Sequence, residues 1–302
     1  MDSTARYLNF LGVDDPPDPG RARFRVLPVP YDLTTSYMPG TRRGPVAILE
    51  ASAHVEWYDE VLGLEPVEHG ILTLPPVEPE TSGPAATMER VEAAARAQVE
   101  EGRFLLTLGG EHSITAPLVA AHRTVWPDLT VLQVDAHADL RDSYCGSPHN
   151  HACAMRRVVD QDVPLVQVGI RSLTREEREL AEADPRITTF FAHELAGRPA
   201  GAWAAEVASR LGSRVYLTID LDGLDPSIMP ATGTPVPGGL SWWKLTTLLE
   251  VVSRSATLVG ADLVELAPIG GMVAPDFLAA RLAYRIMGLA LRHREGIVKR
   301  ER

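Results

Sequence analysis

Cysteine is nearly missing from this chain: two residues in 302, Cys145 and Cys153. Their spacing fits no zinc motif, and so few thiols point to a reducing compartment rather than a disulfide scaffold. Long apolar runs are missing as well. No stretch reaches the ~18 apolar residues of a membrane span, and Met1-Asp-Ser-Thr-Ala-Arg6 lacks the basic segment and apolar core of a secretory leader. There is no basic surplus either: the net charge is −11, which argues against nucleic acid or an anionic membrane as partner. Internal repeats and low-complexity linkers are absent too. The expectation is a cytoplasmic protein acting on small molecules.

What is present is apolar enough, at 45%, for one large core. Residues 1–20, polar and rich in Asp and Pro, read as a loosely held N-terminal arm, and residues 21–302 as a single domain. Strand-like segments at 24–29, 70–74, 104–108, 130–134, 165–169, 187–190, 215–219 and 258–262 alternate with helical patterns near 44–53, 85–101, 113–123, 151–159, 174–184, 200–211, 241–254 and 276–292. That alternation predicts an α/β fold: a mostly parallel eight-stranded sheet covered on both faces. Ligands of such sheets bind beyond the carboxyl ends of the strands.

Three of those strand ends carry metal-type ligands. Leu129–Val134 runs into Asp135-Ala-His137-Ala-Asp139, and Val215–Ile219 into Asp220-Leu-Asp222. Alternating side chains share a face of a strand, so each set is expected to project together. Phe104–Leu108 leads to Gly109-Gly-Glu-His112-Ser113, with His112 just before a helix that Ser113 is expected to cap. Taken singly, each Asp reads as a cap or turn former and each His as a structural residue. Together, four carboxylates and two imidazoles converging are costly without a cation among them. Oxygen-rich ligands with no thiolate suit Mn²⁺ better than structural Zn²⁺. Six ligands suit two ions, about 3.5–4 Å apart in hydrolases of this kind.

The motifs Gly109-Gly-Glu-His-Ser-Ile-Thr115, Asp135-Ala-His-Ala-Asp-Leu-Arg141, Thr218-Ile-Asp-Leu-Asp-Gly-Leu-Asp-Pro226 and Gly260-Ala-Asp-Leu-Val-Glu-Leu-Ala-Pro268 resemble those of the ureohydrolase family, the arginases and agmatinases. Tyr31–Gly40, Arg43-Gly-Pro45 and Gly233-Thr-Pro235 also match, so the likeness covers residues 25 to 290 in order. It implies a three-layer α/β/α catalytic domain and two Mn²⁺ per chain. One ion would take His112, Asp135, Asp139 and Asp220, the other Asp135, His137, Asp220 and Asp222. It also implies that Glu265 pairs with the guanidinium, that His151 shuttles protons (His149 ranking second), and that the chain forms homo-oligomers, trimers or hexamers. Asp139 is the residue expected to pass a proton to the leaving amine.

The substrate's tail is less defined. Gly169-Ile-Arg-Ser-Leu-Thr174 lacks the acids with which arginases hold an α-amino group, which disfavours arginine. In the loop after Asp139, Asp142 would attract a terminal amine, whereas Arg141 would welcome a carboxylate. Agmatine, cleaved to putrescine and urea, is therefore expected first, with 4-guanidinobutyrate or another guanidino acid as the alternative. Two readings from other classes are a single-zinc deacetylase and a catalytically inactive binding homologue. His54, His69, His122, His193 and His293 read as structural or surface residues, Trp242 and Trp243 as core, and the two cysteines as bystanders.

Overall fold

The computed structural model describes residues 8–13 and 17–292; His293 lies outside them. Eight strands form the centre: β1 (Phe24–Val29), β2 (Ile71–Thr73), β3 (Phe104–Gly109), β4 (Thr130–Val134), β5 (Leu165–Ile170), β6 (Ile187–Phe191), β7 (Arg214–Asp220) and β8 (Thr257–Val264). Every neighbouring pair is parallel, in the order β2-β1-β3-β8-β7-β4-β5-β6. Each strand falls on its expected segment. Such strands are buried on both faces, so their sequences read as nearly unbroken apolar runs.

Nine helices of the described chain surround the sheet: α1 (Gly44–Ser52), α2 (Pro84–Arg96), α3 (Thr115–Arg123), α4 (Ala154–Val159), α5 (Arg175–Ala183), α6 (Ala192–Leu195), α7 (Ala200–Ala208), α8 (Trp242–Ser255) and α9 (Ala274–Leu291). One apolar cluster joins alternate strand residues such as Leu106, Leu132 and Leu217 to α1, α7, α8 and α9. The other joins Leu105, Val131 and Tyr216 to α2, α3 and α4. These are the two interfaces of a three-layer α/β/α sandwich. No helix is long and apolar enough to cross a membrane among the described residues.

Chain order explains where a site can form. The chain lays down β1–β3, crosses to build β4–β6 outward on the other side, then fills the gap with β7 and β8. The middle four strands are therefore β3, β8, β7 and β4, and the sheet reverses direction of growth there, where a crevice opens beyond the carboxyl ends.

Three expectations are corrected. The arm is not loose where it is described: Phe10 and Leu11 are buried, their amides donating to Thr73 Oγ1 (2.9 Å) and Ser52 Oγ (2.8 Å). Trp242 packs against the core, but Trp243 is 65% exposed. The single-turn α6 went unforeseen. Ser113 caps nothing: His112–Ile114 form a 3-10 turn ahead of α3, and the Ser113 hydroxyl donates to Glu111 Oε1 (2.6 Å).

His122 on α3 is structural, as expected. Its Nδ1 bonds the Leu118 carbonyl (2.7 Å) and its ring packs edge-on to Tyr216. Burial pushes its pKa down from 6.5 to about 4. The folded state therefore prefers the neutral ring. Its contribution to stability is complete above pH 6.5 and is lost as pH falls toward 4, roughly 3 kcal/mol in all. Urea unfolding of metal-free protein should find the advantage of wild type over His122→Gln shrinking across that window. A gap constant from pH 7 to pH 4.5 would contradict this.

Candidate metal centre

The four central strands each deliver side chains to one point. His112 follows β3, Asp135 to Asp139 follow β4, Asp220 ends β7 with Asp222 in the next turn, and Glu265 follows β8. His112 Nδ1 lies 3.0 Å from Asp135 Oδ2, 3.0 Å from Asp139 Oδ2 and 3.4 Å from Asp220 Oδ2. His137 Nδ1 lies 3.0 Å from Asp222 Oδ2 and 3.7 Å from Asp135 Oδ1. Two three-residue groups have cation-binding geometry, His112–Asp135–Asp139 and Asp135–His137–Asp222. Asp135 belongs to both, and Asp220 stands beside the first.

Strand alternation alone does not account for how these side chains meet. β4 stops at Val134, so Asp135–Asp139 is loop. Asp139 turns back toward His112 through a left-handed backbone, φ 52°, and Glu265 enters by the same device, φ 65°. Non-glycine residues held there are costly and cluster at functional sites. Backbone segments also pack closely around the site. A Cβ on Gly110 would stand 1.8 Å from the Tyr31 carbonyl oxygen, and one on Gly223 would stand 2.8 Å from the Asp135 nitrogen.

The electrostatics are those of a cation site. Asp135, Asp139, Asp220 and Asp222 are all buried. Burial and the charge of Asp135 push Asp139 up to about 7. Burial, then Asp222 and Asp135, push Asp220 well up; burial and Glu111 do the same to Glu265. Burial alone would lower His112, but Asp135, Asp139 and Asp220 hold it well above its ordinary value. Although carboxylate oxygens crowd His112 Nδ1, none is aligned to hydrogen-bond with it, and it is a buried nitrogen without a partner. A ring nitrogen facing several carboxylates without an aligned hydrogen bond is how ligand atoms surround a shared ion. Hard oxygens with two imidazoles suit a divalent ion such as Mn²⁺. The buried Cys153 thiol is no competitor, since burial lifts it to about 11.

Sequence reasoning missed the layer behind these ligands. Gln133 donates to Asp135 Oδ2 (2.7 Å) and is itself bonded by Gln167 (2.6 Å). Arg171 is spent on carbonyls, at 2.6 Å from Asp222 O and 2.7 Å from Val236 O, fastening the turn that carries Asp222 to the Pro226–Gly239 loop. Glu111 accepts from the Thr34 amide (2.6 Å) and hydroxyl, drawing the 31–40 loop over the site. The available signal was a glutamine or acid inside an otherwise apolar strand or strand end.

A cavity of about 260 Å³ opens onto the ligands, lined by Asp139, Arg141, Tyr144, His151, Glu177 and Glu265 among others. His151 reaches it, its Nε2 3.2 Å from Ser36 Oγ and its Nδ1 3.7 Å from Glu265 Oε1. Burial, with the nearby His137 and His112, holds His151 low, at about 4. His149 faces a separate groove between α2 and α3. Asp142 does not line this cavity: it is exposed and paired with Arg157 (2.8 Å) and Arg156 (3.6 Å), against its expected role with the substrate's amine. Glu177 lines it instead. It closes a capping box with Thr174 at the start of α5 and receives the Leu140 amide (3.0 Å). Arg141 does line the cavity, its guanidinium 4.4 Å from the Tyr144 ring centre and 4.0 Å from Glu177.

Comparison with known proteins agrees in fold and family. A model of the "Arginase family" matches residues 22–288. The chain is 43% identical to an N(1)-aminopropylagmatine ureohydrolase of Synechocystis, over 87% of each chain. It is 36% identical to an agmatinase of Bacillus anthracis, over 80% of this chain and 82% of that one. The crystal structure of the agmatine ureohydrolase of Thermoplasma volcanium superposes with a TM-score of 0.85 at 30% identity, covering 98% of both chains.

Proposed function

The chain belongs to the arginase family and is a ureohydrolase, a hydrolase of guanidino C–N bonds, and from that premise we propose that its substrate is an agmatine carrying a further cationic tail, N(1)-aminopropylagmatine ahead of agmatine itself. The products would be urea and a polyamine. The observation that carries a cationic tail is the cavity wall. Along with Asp139, Asp220, Asp222 and Glu265 it presents the buried Glu177, while Arg141, the one arginine there among the described residues, is drawn toward Glu177 and Tyr144. The order within cationic tails rests on the higher identity to the aminopropylagmatine enzyme.

Two Mn²⁺ held by His112, Asp135, Asp139 and Asp220 and by Asp135, His137, Asp220 and Asp222 would make a hydrolytic water acidic enough to attack at neutral pH. The chain's own groups do the rest. Glu265, fixed by its bond from the His112 amide (2.7 Å), offers a carboxylate to the planar guanidinium, which can answer with two parallel hydrogen bonds. Asp139 accepts the proton freed in the attack and returns it to the departing nitrogen. His151, neutral at pH 7 and within reach of both Glu265 and Ser36, relays protons between the cavity and solvent.

Urea release from Mn²⁺-loaded protein tests the proposal. N(1)-aminopropylagmatine should give the highest kcat/KM, agmatine the next, and 4-guanidinobutyrate and arginine the lowest. A preference for 4-guanidinobutyrate would hand the tail to Arg141. No urea from any of the four would favour the inactive binding homologue.

A further inference from the structure

We propose that Asp262, which touches no proposed ligand or substrate, sets the tautomer of His112 by way of Thr218 and thereby the affinity of the centre for its ions. This rests on the metal reading above and extends it to a residue outside the ligand set.

Asp262 lies in the middle of β8, directly across from Thr218 on β7. It is completely buried, and its oxygens are met by hydroxyls only. Oδ1 accepts from Thr218 (2.6 Å); Oδ2 accepts from Tyr216 (2.7 Å) and Thr115 (3.1 Å). A hydroxyl has one proton to give. The Thr218 proton is committed to Asp262, so the Thr218 oxygen can only accept from its other neighbours, His112 Nε2 at 2.9 Å and, farther off, the Thr115 hydroxyl at 3.3 Å. A neutral imidazole that carries its proton on Nε2 bears its lone pair on Nδ1. Nδ1 is the atom that faces Asp135, Asp139 and Asp220. Metal-binding histidines usually fix their tautomer by donating to a carboxylate or carbonyl. Here the acceptor is a hydroxyl, which could point either way, and Asp262 is what orients it. Asp262 is a positioning residue in this account.

The hydrogen-bond count predicts how asparagine would behave. Oδ2 serves two hydroxyls and Oδ1 one, so the amide oxygen of Asp262→Asn takes the Oδ2 place and its NH₂ faces Thr218. Thr218 then donates toward His112 Nε2, which favours the proton on Nδ1, against the ions.

Metal content and dissociation constants in buffered free Mn²⁺ provide the test, with thermal unfolding of the metal-free protein as the measure of packing. Asp262→Asn and Thr218→Val should bind Mn²⁺ about 10–100-fold more weakly, the usual effect of removing an outer-layer partner. Thr218→Ser, which keeps the hydroxyl, should restore near-wild-type affinity. Tyr216→Phe should lower unfolding temperature but leave affinity near wild type. Wild-type affinity in both Asp262→Asn and Thr218→Val overturns the inference, as does an equal loss in Tyr216→Phe, which would mark a packing effect. Should Asp262→Asn not fold, the Thr218→Val and Thr218→Ser pair decides alone. If the wild-type protein takes no Mn²⁺, it is the metal reading that fails.

Discussion

Asp220→Ala should empty the centre and abolish urea release, yet make the metal-free protein more stable than metal-free wild type. The two halves have one cause. Asp220 is buried among Asp135, Asp222 and His112, and burial and its acidic neighbours push its pKa well up. Without ions the folded protein therefore carries a carboxylate that would rather be protonated or in water, and alanine removes that cost. With ions the sign reverses, because Asp220 is assigned to both and its loss weakens both. Several kcal/mol of transition-state stabilisation would go with them, a fall of about 10³-fold or more in kcat. Metal analysis after gel filtration and thermal unfolding with and without EDTA read the effects separately. The crossing is diagnostic: wild type should melt above the variant in Mn²⁺ and below it in EDTA. Retention of two ions per chain would remove Asp220 from the shared position, and a variant less stable in both conditions would make it an ordinary structural residue.

The same burial explains how much of the molecule was legible in its sequence. The strands were, because parallel strands covered on both faces leave continuous apolar runs that helices and loops interrupt. The candidate ligand residues stood out too, because acids and histidines directly after such runs have few reasons to be there. Illegible were the directions of side chains that leave the sheet. Asp139 and Glu265 reach the centre through left-handed backbone that no alternation rule anticipates. Asp142 stands outside the cavity and Glu177 in its wall for a similar reason. Asp142 is near Asp139 in sequence but turns out to Arg156 and Arg157, whereas Glu177, 38 positions beyond Asp139 in the chain, is tied to the segment just after Asp139 by accepting the Leu140 amide hydrogen. Ser113 looked like a cap because it precedes a helix, but Glu111, buried beside it, claims its hydroxyl. In each case a long-range partner decided the outcome, and one sequence does not display its partners.

Glu265→Gln should leave the centre's metal content intact while cutting kcat/KM by about 10²-fold, the value of a charge-assisted pair lost at a buried site. The substitution keeps shape and volume. Its amide oxygen can still accept the His112 amide hydrogen now bonded to Oε1 at 2.7 Å, so the backbone that carries His112 has no reason to move. What disappears is the negative charge that a guanidinium would meet. Glu265 is an expensive residue to keep for a cap alone, being buried, in left-handed backbone and near Glu111, whose charge raises its pKa further. Glutamine would relieve that repulsion, so the variant should unfold at a higher temperature than wild type when both are free of metal. Loss of rate with a gain in stability separates a residue retained for binding from one retained for folding. Steady-state urea release, metal analysis and thermal unfolding in EDTA supply the three readings. A kcat/KM close to wild type would confine Glu265 to holding the His112 backbone, and the guanidinium would then have to be met by another acid of the cavity, Asp139 or Glu177.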